Sequence, residues 1–159
     1  MNCISTVCFT GHREIPTDIA INIPSALKKL LEQLIIRGAV SFRAGGAMGF
    51  DTICALCVLE LKEKYPHIKL DLILPCKNQT QGWDEGSLRA YNYILERADS
   101  VKYISESYRR GCMHDRNRAL VDGSDVCVAF LMRTSGGSAY TYSYAIKSGV
   151  EIINLYYSM

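Results

Sequence analysis

Apolar residues fall along this chain in two alternating patterns. Short unbroken apolar runs recur, and between them apolar positions return every third or fourth residue. The first pattern reads as strands buried on both faces, the second as amphipathic helices. Residues 3–9, from Cys3 to Phe9, form the first run and stop at Thr10-Gly11. Pro24-Ser25 opens a helix in which Ala26, Leu27, Leu30, Leu31, Leu34 and Ile35 share a face, and Gly38 ends it. Residues 39–44 read as the second strand, closed by Gly45-Gly46. A helix from about Asp51 to Lys64 follows, with Ile53, Leu56 and Leu59 facing inward and Pro66 just past its end.

Residues 68–74 read as the third strand, ended by Pro75, and a polar loop then reaches Trp83. The next helix carries Leu88, Tyr91, Leu95 and Ala98 on one stripe. Val101 to Ile104 form the fourth strand, residues 112–122 a helix, and Val126 to Leu131 the fifth strand. A glycine-rich loop leads into a helix ending near Ser148, and Glu151 to Leu155 close the pattern. Strands separated by helices of this length imply right-handed crossovers and a parallel sheet. The expected fold is α/β: a doubly wound, Rossmann-like parallel sheet with helices on both faces. A flavodoxin-like strand order is the nearest competitor, and the local pattern is the same for both.

The chain has 159 residues with neither an internal repeat nor a linker-like stretch, so residues 1–159 read as a single domain. Hydrophobic residues make up 48%, too many for a disordered chain, yet no run approaches a membrane span. The net charge of +2, without a Lys/Arg run, argues against nucleic acid as the partner. The Arg109-Arg110 doublet reads first as a solvated loop. No signal-peptide pattern opens the chain. Seven scattered cysteines fit free thiols in a reducing cytoplasm. Cys54-x-x-Cys57 falls inside a helix beyond its first turn, which favours buried thiols over a redox pair. No trio of His, Cys or Asp shows metal spacing, so no metal is expected.

In such a sheet the ligand crevice lies beyond the carboxyl ends of the strands. The residues that follow each strand are therefore the candidates. Thr10, Gly11, His12 and Arg13 follow the first. Gly45, Gly46, Gly49 and Asp51 follow the second, and Trp83 closes the loop after the third. Arg116 and Asn117 follow the fourth. Thr134, Ser135, Gly136, Gly137, Ser138 and Tyr140 follow the fifth. Glycines let backbone N–H groups approach an anion, helix starts add partial positive charge, and arginine adds bidentate contacts. This edge reads as a site for a phosphate-bearing small molecule. Asp51 suits either a helix N-cap or a contact to a ribose hydroxyl. His12 reads as a structural hydrogen-bonding residue ahead of a general acid. His114 reads as a surface or capping residue. Trp83 either stacks a base or anchors its loop, and at most two of Tyr140, Tyr142 and Tyr144 can face a pocket.

Thr10-Gly11-His12-Arg13, Gly45-Gly46-Ala47-Met48-Gly49-Phe50-Asp51, Gln81-Gly82-Trp83, Arg116-Asn117-Arg118 and Ser135-Gly136-Gly137-Ser138-Ala139-Tyr140 together resemble the YpsA-like branch of the SLOG superfamily. The match covers about residues 7–155. It implies a Rossmann-like nucleotide-binding fold. Gly45-x-Ala47-x-Gly49-Phe50-Asp51 is similar to a segment of the DNA-processing protein DprA. Met113-His114-x-Arg116 looks like a segment of the LOG phosphoribohydrolases, which release a base from a nucleoside monophosphate. Their catalytic glutamate position falls on Ser143 here, and a hydroxyl cannot replace that carboxylate. Arg116 and Asp51 remain as weak catalytic candidates.

The expected function is therefore binding of a nucleotide or nucleotide-derived small molecule, as a sensor or sequestering module, with no cofactor required. The alternatives are a LOG-like hydrolase of an N-glycosidic bond and DprA-like single-stranded nucleic-acid binding. The resemblance also implies a homodimer.

Overall fold

The computed structural model describes residues 3–133 and 136–159. Among these residues six strands and six helices follow one another, with two helices between the first and second strands. They run β1 (Thr6–Gly11), α1 (Thr17–Ala20), α2 (Ile23–Ile36), β2 (Ser41–Ala44), α3 (Phe50–Lys64), β3 (Lys69–Cys76), α4 (Glu85–Arg97), β4 (Ser100–Ser105), α5 (Cys112–Val121), β5 (Val126–Phe130), α6 (Gly137–Lys147) and β6 (Glu151–Asn154). A 3-10 turn at Leu155–Ser158 follows. All strand pairs are parallel, in the order β4-β3-β2-β1-β5-β6. The chain winds outward from β1 to β4, returns beside β1 as β5, and ends at β6. This is the Rossmann-like doubly wound arrangement; the flavodoxin-like order is excluded.

Alternation along the central strands fills two unequal cores. Val7 and Phe9 of β1, Val126, Val128 and Phe130 of β5, and Leu70, Leu72 and Leu74 of β3 pack under α2, α3 and α4. Cys8, Ile73 and Cys127 face the other way, against Leu120 and Val121 of α5 and Ala145 of α6. The four phenylalanines of the larger core are fully buried and pair as Phe9–Phe42 and Phe50–Phe130. Burial on both faces holds for β1, β5 and the second half of β3, whereas in β2 buried Phe42 and Ala44 alternate with half-buried Ser41 and Arg43. At the sheet edge, β4 is exposed along its first half.

Five expectations shift. Leu56 of α3 is exposed rather than inward-facing, because Cys54, Val58 and Leu61 form the buried face of that helix. The first strand begins at Thr6 and leaves Cys3 exposed, because its ladder with β5 runs from Val7 to Gly11. The short helix α1 lies ahead of the expected one. The third strand runs through Pro75 to Cys76. Beyond Leu72, which pairs with Ala44 at the end of β2, β3 has a ladder partner only in β4, so the missing proline N–H is tolerated at that one-sided stretch. Asp51 is not the N-cap of α3. Gly49, at φ +78°, takes that position, and the helix starts at Phe50. A side chain on Gly49 would also collide with the backbone oxygens of Arg13 and His12.

Candidate functional site

The doubly wound topology makes the junction of β1 and β5 the switch point, where neighbouring crossovers diverge and a crevice opens. A cavity of about 420 Å³ lies there. It is lined by Phe9, Thr10, Gly11, His12, Arg13 and Glu14 from β1 and its loop, and by Ala47 and Asp51 at the start of α3. Met113, His114, Arg116, Asn117 and Leu120 of α5 line it too. Arg133, Gly136, Gly137, Ser138 and Thr141 after β5 complete it.

His12 brackets the floor. Its backbone N–H donates to Phe130 O at 3.4 Å, and its carbonyl accepts from Phe50 N–H at 3.0 Å. Its Nε2 accepts a 2.8 Å hydrogen bond from Met132 N–H. An accepting Nε2 puts the ring in the neutral form with its proton on Nδ1. Burial, then the nearby Arg133 charge, holds the imidazole below its usual range. The structural hydrogen bond expected of His12 is present.

Asp51 and Arg116 lie side by side under Gly45. A methyl group added there would sit 2.7 Å from Arg116 Nη1 and 3.0 Å from Asp51 Oδ2, so glycine is required for their approach. Arg116 is nine-tenths buried or more. Its Nη1 donates to Gly45 O and its Nε to Asn117 Oδ1 at 2.8 Å. Asp51 Oδ2 accepts from Ala47 N–H at 3.2 Å. Burial pushes the Asp51 carboxyl up, against the pull of Arg116. Burial lowers the Arg116 guanidinium, and the Asp51 charge opposes it.

Thr10, His12 and Asp51 bring polar side chains to this floor. Each residue is more than nine-tenths buried. The rim adds the Arg13 and Arg133 guanidiniums and the N-terminus of α6. Ser138 Oγ donates to Gly11 O at 2.6 Å and ties that helix start to β1. The cavity thus offers hydrogen-bonding groups at its base and positive potential at its mouth.

Of the candidate residues, Thr10, Gly11, His12, Arg13, Asp51, Arg116, Asn117, Gly136, Gly137 and Ser138 converge on this cavity. Gly45, Gly46 and Gly49 do not line it. Gly46 packs against Leu74 and Gln79, and the other two permit the approaches just described. Trp83 lies outside it, edge-on to Tyr91 with centroids 5.5 Å apart, and anchors its loop on α4. Tyr140 stands behind His114, stacked on it at 4.1 Å. Ser135 and Thr134 lie outside the described residues. Ser143 is exposed on α6 and away from the cavity. Sequence reasoning passed over Arg133, Glu14 and Thr141. Arg133 was findable by its position two residues past an apolar strand. Cys54 and Cys57 are buried, with burial pushing both thiols up, that of Cys57 to about 11. Among the described residues, no group of three or more His, Cys, Asp or Glu is placed to hold a metal, and no helix is long and apolar enough to cross a membrane.

The parallel sheet, its switch-point cavity and its glycine turns define a Rossmann-like α/β domain. The YpsA model, described as the YspA SLOG family, matches residues 8–154, and the chain belongs to that family. It is 28% identical over 141 residues to the SPbeta prophage-derived protein YoqJ of Bacillus subtilis (strain 168), covering 80% of this chain and 82% of YoqJ. It is 34% identical over 122 residues to the UPF0398 protein BH1768 of Halalkalibacterium halodurans, covering 73% of this chain and 65% of that relative. The solved structure of DprA from Streptococcus pneumoniae matches in fold, with a TM-score of 0.67 at 17% identity, over 94% of this chain and 49% of DprA.

Proposed function

We propose that the chain binds a nucleotide or nucleotide-derived small molecule in the β1–β5 cavity, as a sensor or sequestering module. One observation carries this reading. Thr10, His12 and Asp51 are buried polar residues gathered on one cavity. A few polar side chains converging on one concave surface can fix the orientation of a small-molecule ligand. Thr10 and His12 supply donors, and Asp51 Oδ1 takes a hydroxyl or amino donor. Arg13, Arg133 and the α6 start suit an anionic group such as phosphate. The volume of about 420 Å³ falls within the range of small-molecule sites.

The hydrolase reading retains one supporting observation: Asp51 is a buried carboxylate in the cavity itself. Native mass spectrometry with AMP, GMP, CMP, NAD and ADP-ribose, with free bases followed over hours, separates the two. Retention of one intact nucleotide per chain, with no base released, is expected. Steady base release would establish the hydrolase, and absence of any adduct would overturn the nucleotide reading. The same spectra read the oligomeric state, for which the family resemblance implies a dimer.

A further inference from the structure

The aromatic side chains lining the cavity differ in kind. Phe9 belongs to the core beneath the floor and is fully buried, whereas His114 is exposed at the rim. Two residues outside the cavity hold His114 in place. Tyr140 of α6 stacks on it with centroids 4.1 Å apart and planes 7° from parallel. The Tyr140 hydroxyl accepts a 2.8 Å hydrogen bond from Arg118 Nε. Arg118 lies four residues after His114 on α5, so both project from one face of that helix. Tyr140 is therefore fixed at its ring and at its hydroxyl.

Core packing does not call for this arrangement. The other closely parallel ring pairs, Phe9–Phe42 and Phe50–Phe130, are enclosed in the larger core. Among the described residues the remaining ring pairs meet edge-on, as Tyr65–His67, Trp83–Tyr91 and Phe130–Tyr156 do, or tilted at 53°, as Tyr156–Tyr157 do. Aromatic rings expose a planar face on which another ring can stack. Tyr140 covers one face of the imidazole and does not itself line the cavity, whereas His114 does.

We propose that His114 is the base platform of the site: the nucleobase stacks on its free face and extends the His114–Tyr140 stack, with Tyr140 and Arg118 as positioning residues. This rests on the nucleotide reading above. It places the base at α5, in the cavity that Arg133 and the start of α6 also line, and assigns no stacking role to Trp83.

The test compares AMP with ribose 5-phosphate by isothermal titration calorimetry on the full chain. In His114→Ala the AMP dissociation constant is expected to rise about tenfold. Ribose 5-phosphate, which has no base, is expected to bind His114→Ala and wild type alike. His114→Phe, which keeps a flat ring, is expected to restore AMP binding. An unchanged AMP affinity in His114→Ala would overturn the platform while leaving the nucleotide site standing. Equal losses for both ligands would overturn it too, showing that His114 only supports the fold. Failure of the wild type to bind either ligand would overturn the nucleotide reading and this inference together.

Discussion

The imidazole Nε2 of His12 accepts the backbone N–H of Met132 at 2.8 Å, and so joins the end of β1 to the segment leaving β5. Only the neutral ring can do this. Burial and Arg133 hold its ionisation below the usual value of 6.5. The unfolded chain therefore takes up the proton first, and stability rises with pH across that interval. The His12 contribution is complete above pH 6.5 and is lost as pH falls through the lower folded-state value. Urea denaturation from pH 7.5 to 5 should show this loss. His12→Ala, which leaves the Met132 N–H without its partner, should cost about 1–3 kcal/mol at pH 7.5 and remove this part of the pH dependence.

Arg116 holds the Gly45 carbonyl and Asn117 from a buried position. Arg116→Ala leaves Gly45 O without its donor and Asp51 without its nearest countercharge. A loss of about 2–3 kcal/mol in urea unfolding is expected. Arg116→Lys keeps the charge but loses the forked geometry, so it should recover part of the stability and little of the ligand binding.

Two glycines near the site should respond in opposite ways. Gly49 combines a φ of +78° with backbone atoms crowding its missing side chain. Gly49→Ala should cost about 2 kcal/mol or more and show a clear fall in Tm. Gly137 has open space around it and lines the cavity. Gly137→Ala should leave Tm within a degree or so of wild type, because nothing in the fold resists the methyl group. It should weaken AMP binding, because that methyl group stands at the α6 start.

Trp83 packs edge-on to Tyr91 and against the core beneath α4. Trp83→Ala should cost about 2 kcal/mol, given that the ring is partly buried. AMP affinity measured below the transition should be unchanged. A lost affinity would return Trp83 to the ligand.

The succession of strands and helices was legible because each element carries its own period. Unbroken apolar runs such as Val126–Phe130 mark central strands, and the stripe from Leu27 to Leu34 marks a helix. The strand order was not, because the return from β4 to the flank of β1 leaves no local mark on α5. The edge of the sheet that bears the cavity followed from the parallel pattern alone. What eluded sequence was the division among glycines: Gly45 and Gly49 make room for protein atoms, while Gly136 and Gly137 face the cavity. Both kinds sit in strand-to-helix turns, and only the three-dimensional neighbours distinguish them. The stacking partner of His114 was hidden for a similar reason, since Tyr140 lies 26 residues away on another helix.

The fifth strand has a consequence for the chain before it is folded. From Val126 to Met132 seven apolar residues follow one another without a charge, a proline or a glycine. Such a segment is prone to cross-β association whenever it is bare. In the native sheet it is shielded by β1 on one side and β6 on the other. Asp125 and Arg133 stand at its two ends as charged gatekeepers. Asp125 also accepts the N–H groups of Ser5 and Thr6 at 2.8 and 3.0 Å, which fastens the start of β1 beside β5. The contact that seats the strand in the sheet is thus made by the same side chain that guards it against self-association during synthesis. Weakening Asp125 would therefore raise aggregation on refolding as well as lower stability.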